Sequence, residues 1–137
     1  MLRKLFAAVA LAGFASVATA QETLVVYWTK GFYPQEDKAL DDMVAKFEKK
    51  TGVKVELSRY SPQESVPKAV AALDSGTPPD VAYGDVFDFQ VAGKWAAEGR
   101  LEDLSDILTP MKGSFLPVTL ETVNLLNEKT GKRAYYA

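Results

Sequence analysis

The ten residues Gly76-Thr77-Pro78-Pro79-Asp80-Val81-Ala82-Tyr83-Gly84-Asp85 leave this chain few ways to fold. Gly76 accepts the positive φ that ends a helix. Pro78 and Pro79 forbid helix continuation and hold the backbone extended. Val81, Ala82 and Tyr83 make an apolar run too short for a helix but suited to a buried strand. Gly84 and Asp85 stand where that strand leaves the sheet. In an open parallel sheet, ligands bind at such exits.

The flanking pattern predicts the sheet. Leu24 to Trp28 is an unbroken apolar run, expected of a strand buried on both faces. After the Thr29–Gln35 loop, Leu40, Met43, Val44 and Phe47 recur at helical spacing. Glu36 and Asp37 open this helix and Lys49 and Lys50 close it, in the sense the helix dipole favours. Gly52 is its expected stop. Val53, Val55 and Leu57 then alternate with polar residues, which predicts a half-exposed strand. Ser61-Pro62-Gln63-Glu64 has the form of a capping box. Pro67 argues for a later start at Ser65, which would place the proline in the first turn. Val66, Val70 and Leu73 line the expected apolar face. The order β-α-β-α-β with short links implies a parallel sheet with the first strand in the middle.

Beyond Asp85 the sequence predicts a helix with Asp85 at N-cap and Asp88 at N3. Phe89, Ala92, Trp95 and Ala96 would share its buried face, with Gly99 as stop and Leu101 packed under the cap. A shorter helix carrying Leu104, Ile107, Leu108 and Met111 should halt near Pro110. Asn127 to Lys132 reads as a turn and Arg133 to Ala137 as a strand.

Residues 1–20 read as a secretory signal peptide. Met1-Leu2-Arg3-Lys4 is basic, Leu5 to Val17 is apolar and small, and Ala18-Thr19-Ala20 is an A-x-A site. The mature chain would begin at Gln21. Its charge is acidic: the full chain carries −2, and Arg3 and Lys4 leave with the leader. That gives no electrostatic reason to expect nucleic acid or an anionic membrane as partner. There is no cysteine and no histidine. Stability must come from an apolar core, and Ser-His-Asp, Cys-His and His-based metal sites are excluded within these residues. Phe14 stands where the Leu11-Ala12-Gly13 run would need cysteine for lipidation, so a soluble periplasmic protein is expected.

Four segments, in order, carry a resemblance. Phe47-Glu48-Lys49-Lys50-Thr51-Gly52-Val53-Lys54-Val55 is similar to the first helix-to-strand junction of extracellular solute-binding proteins of ABC importers, family 1, the branch that includes maltose binders. Gly76 to Val81 resembles that family's third-strand entry. Gly99-Arg100-Leu101-Glu102-Asp103-Leu104 resembles its next helix exit, and Gly131 to Ala137 the hairpin strand that leads toward the hinge. The resemblance spans Thr23 to Ala137. It implies an α/β fold: a three-layer lobe with a parallel or mixed sheet, of the periplasmic-binding-protein-like type II. Family members are longer, with two lobes. Residues 21–137 are accordingly expected to be a partial N-terminal lobe, a reading that the unfinished strand Tyr135-Tyr136-Ala137 favours.

The resemblance also points to site residues. Lys30, in Lys30-Gly31-Phe32, matches a lysine that hydrogen-bonds sugar hydroxyls; its ammonium offers three donors. Thr29 replaces the acidic residue that precedes it in maltose binders, which weighs against a maltose-like ligand. A solvated loop lysine is the plain alternative. Asp85 resembles the carboxylate that accepts from adjacent hydroxyls, against a simple N-cap role. Phe32, Tyr60 and Tyr83 lie at strand ends, where aromatic faces can stack on a sugar ring. Trp28 and Tyr33 share that position; core packing is the competing reading for Trp28 and Tyr83. Trp95 reads as core. Asp41, Asp42 and Glu121 read as solvated faces, Asp85 with Asp88 as ordinary capping rather than an acid pair, and Tyr135-Tyr136 as a hairpin strand.

The expected function is a periplasmic component that captures a small polar solute, a carbohydrate or polyol, by hinge closure and delivers it to ABC permease subunits. It would be monomeric, with no cofactor, no metal and no catalysis. An exported carbohydrate-active enzyme, with its decisive residues beyond Ala137, is the competing class; a solute sensor is a third.

Overall fold

A computed structural model describes residues 22–136. The signal peptide reading and the final Ala137 lie outside the described residues. A parallel sheet of three strands, in the order β2-β1-β3, forms the first half. Its strands are β1 (Thr23–Thr29), β2 (Lys54–Tyr60) and β3 (Val81–Tyr83). Helix α1 (Pro34–Thr51) joins β1 to β2, and α2 (Pro62–Asp74) joins β2 to β3. The expected central position of the first strand holds. β1 pairs along its whole length with β2, from Thr23 opposite Lys54 to Thr29 opposite Tyr60. With β3 it shares three pairs, Val26 to Trp28 against Val81 to Tyr83.

Alternation sorts the β1 side chains between two layers. Trp28 stacks on Tyr83 and shares a cleft with Leu40 and Met43 of α1. Tyr27 meets the Tyr60 ring edge-on, and the Lys68 ammonium of α2 lies 5.9 Å from that ring's centre. Helix, sheet and helix thus form three layers, the α/β lobe expected.

Burial is thinner than the sequence implies. In β1 only Val26 and Thr29 are buried; Leu24, Val25, Tyr27 and Trp28 are partly covered. The run is central, but its C-terminal end opens into the cleft instead of meeting a full helix layer. β3 is no buried strand either. It is the sheet edge, with Val81 44% and Tyr83 45% exposed. On α1 Leu40 is buried while Met43 and Phe47 are exposed. On α2 the buried residues are Ser65 and Ala69, with Val66, Val70 and Leu73 only partly covered. Small side chains let that helix approach the sheet closely.

Local signals account for the helix ends. The α2 helix starts at Pro62, not Ser65. The Ser61 N–H and hydroxyl both donate to Glu64 Oε2, at 3.1 and 2.6 Å. These bonds start the helix ahead of Pro67, which therefore lies inside it and removes one helix hydrogen bond. Gly76, at φ 78°, closes the helix. The Gly76 N–H donates to Leu73 O and the Thr77 N–H to Ala72 O, the two bonds of a Schellman cap. Asp80 then fixes β3 to the centre. Its N–H donates to Val25 O at 2.9 Å, while Val25 N–H donates to Asp80 Oδ2 at 2.8 Å.

The second half packs on a helix and a hairpin. A π-helical turn, Asp88–Ala92, runs into α3 (Gly93–Ala97). α4 (Ser105–Leu108) continues as a 3₁₀ turn through Ser114, so Pro110 changes the helix type without stopping the chain. After α5 (Pro117–Val123), strands β4 (Asn124–Asn127) and β5 (Lys132–Tyr135) pair antiparallel. Ala96, Ala134 and Tyr136 are buried together, with Leu101 and Leu125 packed against them. Gly99 ends α3 with the same two-bond cap as Gly76, and Leu101 takes its expected place under it. Asn127 builds the hairpin turn: its Oδ1 accepts from the N–H groups of Lys129 and Thr130. Arg100 joins the two halves, donating to Asp74 Oδ1 at 3.0 Å and Leu73 O at 2.8 Å.

One expected face fails. Trp95 and Ala96 are buried, but Phe89 is 83% exposed. The π turn adds a residue to one turn and rotates everything before it out of the α3 stripe. Asp85 is not the helix N-cap either; Phe87 precedes the turn and no side chain caps it.

Candidate functional site

A cleft of about 670 Å³ opens at the C-terminal ends of β1 and β3. The first turn of α1 borders it through Glu36 and Asp37. Trp28 and Tyr83 stack in its wall, ring centres 4.5 Å apart and planes inclined by 29°. Such a pair presents a flat apolar platform with polar tips, a geometry suited to the apolar face of a sugar ring.

Of the five expected site residues, Lys30, Phe32, Tyr83 and Asp85 all line this cleft. Tyr60 does not. Although it ends β2 beside Thr29, its ring packs edge-on against Tyr27, centres 5.0 Å apart, on the opposite face of the sheet. Alternation decides this: Tyr60 is in register with Thr29, one residue out of phase with Trp28. Trp28 belongs to the cleft wall. Tyr33 is exposed and immediately precedes α1.

Tyr83 and Asp85 act on each other. The Asp85 carboxylate beside the phenol is the main cause that raises the Tyr83 pKa above its ordinary value. Partial burial and the negative charges of Asp85 and Glu36 add to it. Asp85 itself lines the cleft with a carboxylate that can accept hydrogen bonds. Lys30 supplies the complementary donor. The cleft therefore offers a donor, acceptors and a ring platform. Among the described residues no cluster of three His, Cys, Asp or Glu side chains is placed to hold a metal ion.

The loop carrying Lys30 and Phe32 is anchored through its backbone. Lys30 N–H donates to Tyr60 O at 2.8 Å, Gly31 N–H to Asp37 Oδ1 at 3.1 Å, and Phe32 N–H to Glu36 Oε2 at 2.9 Å. A Cβ on Gly31 would fall 2.5 Å from Glu36 Oε2, so glycine is required here by close approach. Behind the loop, Arg59 of β2 pairs with Asp41 and Asp37 of α1. Asp41 thus has a partner across the fold, whereas Asp42 pairs with Lys38 on an exposed face. Sequence reading missed Asp37 and Arg59 as supports of the site. The available signal was Asp37 and Asp41 at i and i+4 on one helix face, opposite a lone arginine in a half-exposed strand.

The family model described as bacterial extracellular solute-binding protein matches residues 33–129. The chain belongs to that family. Among solved structures, this family member is similar to an ABC transporter solute-binding protein from Thermotoga lettingae bound with alpha-D-tagatose. The identity is 25%, the TM-score 0.67, and the match covers 84% of this chain and 28% of that one. Maltose-bound MalE3 of T. maritima matches at 26% identity and TM-score 0.55, over 81% of this chain and 27% of its own. The cyclic alpha-maltosyl-1,6-maltose binding protein from Arthrobacter globiformis matches at 25% identity and TM-score 0.51, over 76% and 24%. This solute-binding chain therefore spans about a quarter of the length of those three proteins. No curated protein sequence matches it. The family and the similar structures are solute-binding proteins of transport, not enzymes. Its family is extracellular by description, and no described helix is long and apolar enough to cross a membrane.

Proposed function

We propose that this chain forms the first part of the N-terminal lobe of a two-lobe periplasmic binding protein that captures a carbohydrate or polyol and delivers it to an ABC permease. The observation that carries the reading is the stacked Trp28–Tyr83 platform with Lys30 and Asp85 in the same cleft. An aromatic platform fits the C–H face of a pyranose or furanose ring. A lysine donor and a carboxylate acceptor fit its hydroxyls. Sugar ligands in two of the similar structures support the solute class.

Lys30, Phe32, Tyr83 and Asp85 would contact the solute; Tyr60 would support the sheet behind it. A second lobe would close over the cleft by hinge motion, and the closed form would engage the permease. Export by the leader of residues 1–20 would place the protein in the periplasm, where a monomer suffices for capture. Calorimetry of the full-length protein against a panel of mono- and oligosaccharides and polyols tests the reading. Saturable heats with at least one neutral sugar are expected. Heats with none, in a protein that unfolds cooperatively, would remove the carbohydrate assignment.

A further inference from the structure

We propose that Asp37, held by Arg59, is a positioning residue for the ligand loop, fixing Lys30-Gly31-Phe32 before any solute arrives. The inference rests on the carbohydrate-binding reading of the cleft and extends it to two residues that need not touch the solute. Three consecutive N–H groups of the loop have three different acceptors: Tyr60 O in β2, Asp37 Oδ1 and Glu36 Oε2 in α1. The backbone is therefore tied to both neighbouring elements, while the Phe32 side chain stays 80% exposed. This is a rigid backbone under free side chains, the arrangement that lowers the ordering cost of binding.

Asp37 is the hinge point of the anchor because it works in two directions. Its Oδ1 accepts the Gly31 N–H and also lies 3.7 Å from Arg59 Nε. Its own carbonyl oxygen accepts from Arg59 Nη2 at 3.4 Å. The same Nη2 pairs with Asp41 one helical turn further on. Arg59 Nε is buried and makes no hydrogen bond. A buried guanidinium nitrogen without a partner is costly. It lies 3.7 Å from Asp37 Oδ1, within ion-pairing reach but beyond hydrogen-bond distance, while the same oxygen accepts the Gly31 N–H. The guanidinium fork of β2 thus fixes the first two turns of α1, and α1 fixes the loop.

The test uses the full-length protein and a neutral sugar from the binding panel. Asp37→Ala removes the Gly31 acceptor; Asp37→Asn keeps an oxygen for Gly31 but drops the charge beside Arg59. Amide hydrogen exchange reads the loop directly. Asp37→Ala is expected to strip protection from the Gly31 amide, to leave the β1–β2 ladder protected, and to weaken sugar binding about tenfold, the scale of ordering a loop no longer held in advance. Asp37→Asn should keep Gly31 protected and most of the affinity. Asp42→Asn, which touches only the exposed pair with Lys38, should bind as the parent does. Parental affinity in Asp37→Ala despite an opened Gly31 amide would overturn the inference while leaving the sugar reading intact. So would lost affinity with Gly31 still protected. A parent that binds no sugar would overturn both together.

Discussion

Tyr83 and Asp85 show how a site residue differs from a residue at the right place in the sequence. Asp85 stands at a strand exit in either case, but it acts on the phenol two residues earlier and does not cap a helix terminus. The raised Tyr83 pKa has a defined consequence. The Asp85 carboxylate favours the protonated phenol in the folded protein, so its contribution to stability is full below the unfolded tyrosine pKa. It is lost as pH rises from there through the higher folded value. Asp85→Asn should lower the Tyr83 pKa, read as a difference between variant and parent in the tyrosinate absorbance titration. It should also weaken sugar binding, because the carboxylate acceptor is gone. Gly31→Ala tests the close approach. The added methyl meets Glu36, and the expected loss is ~1–3 kcal/mol in denaturant unfolding. Strand ends and the family resemblance placed Lys30, Phe32, Tyr83 and Asp85 where one cleft opens. The place of Tyr60 outside that cleft was not legible, because the face that a strand residue takes depends on register with a neighbour, here Thr29.

At the scale of elements, what is encoded locally was legible and what depends on coverage was not. The caps at Gly76 and Gly99, the Ser61–Glu64 box and the Asn127 turn each lie within a few residues of their partners, so short spacing reveals them. The burial of β3 was misjudged because an apolar run does not say whether another strand lies outside it. The π turn was misjudged because Phe89, Ala92, Trp95 and Ala96 fit an ordinary helix equally well. Gly76→Ala should destabilise the protein by about 1 kcal/mol, since a left-handed conformation is unfavourable for any residue with a Cβ. Thermal denaturation in a matched series reads it, with Gly113→Ala, where a Cβ meets nothing, as the control. The α2 cap carries a pH signature of the opposite sign to Tyr83. Bonds from Ser61 hold the Glu64 carboxyl below its usual pKa. That stabilisation is present above the unfolded glutamate pKa and is lost as pH falls through the lower folded value. Glu64→Gln should therefore narrow the gap to the parent in melting temperature as the solution is acidified.

At the scale of the molecule, the described residues build one wall of the cleft. Its platform and its polar groups all come from β1, β3 and the start of α1, and Phe32 stands 80% exposed at its rim. Affinity for a polar solute depends on excluding water from both sides of the ring. Residues 21–137 produced alone should therefore bind sugars far more weakly than the full-length protein. Micromolar affinity of that piece in calorimetry would show that one wall suffices.

The Asp80 latch has a consequence for the order in which the sheet assembles. β1 and β2 are joined through a single helix, whereas the Val25–Asp80 bridge closes a loop of 55 residues to hold a strand of three. A closure that long, rewarded by so short a ladder, belongs late in folding, after the β1–α1–β2 unit has formed. Contacts made after the transition state govern how fast the native protein comes apart rather than how fast it forms. In stopped-flow chevrons of the full-length protein, Asp80→Ala should then speed unfolding while leaving the refolding arm nearly in place. The carboxylate of Asp80 would be a brake on escape from the native state, not a guide toward it.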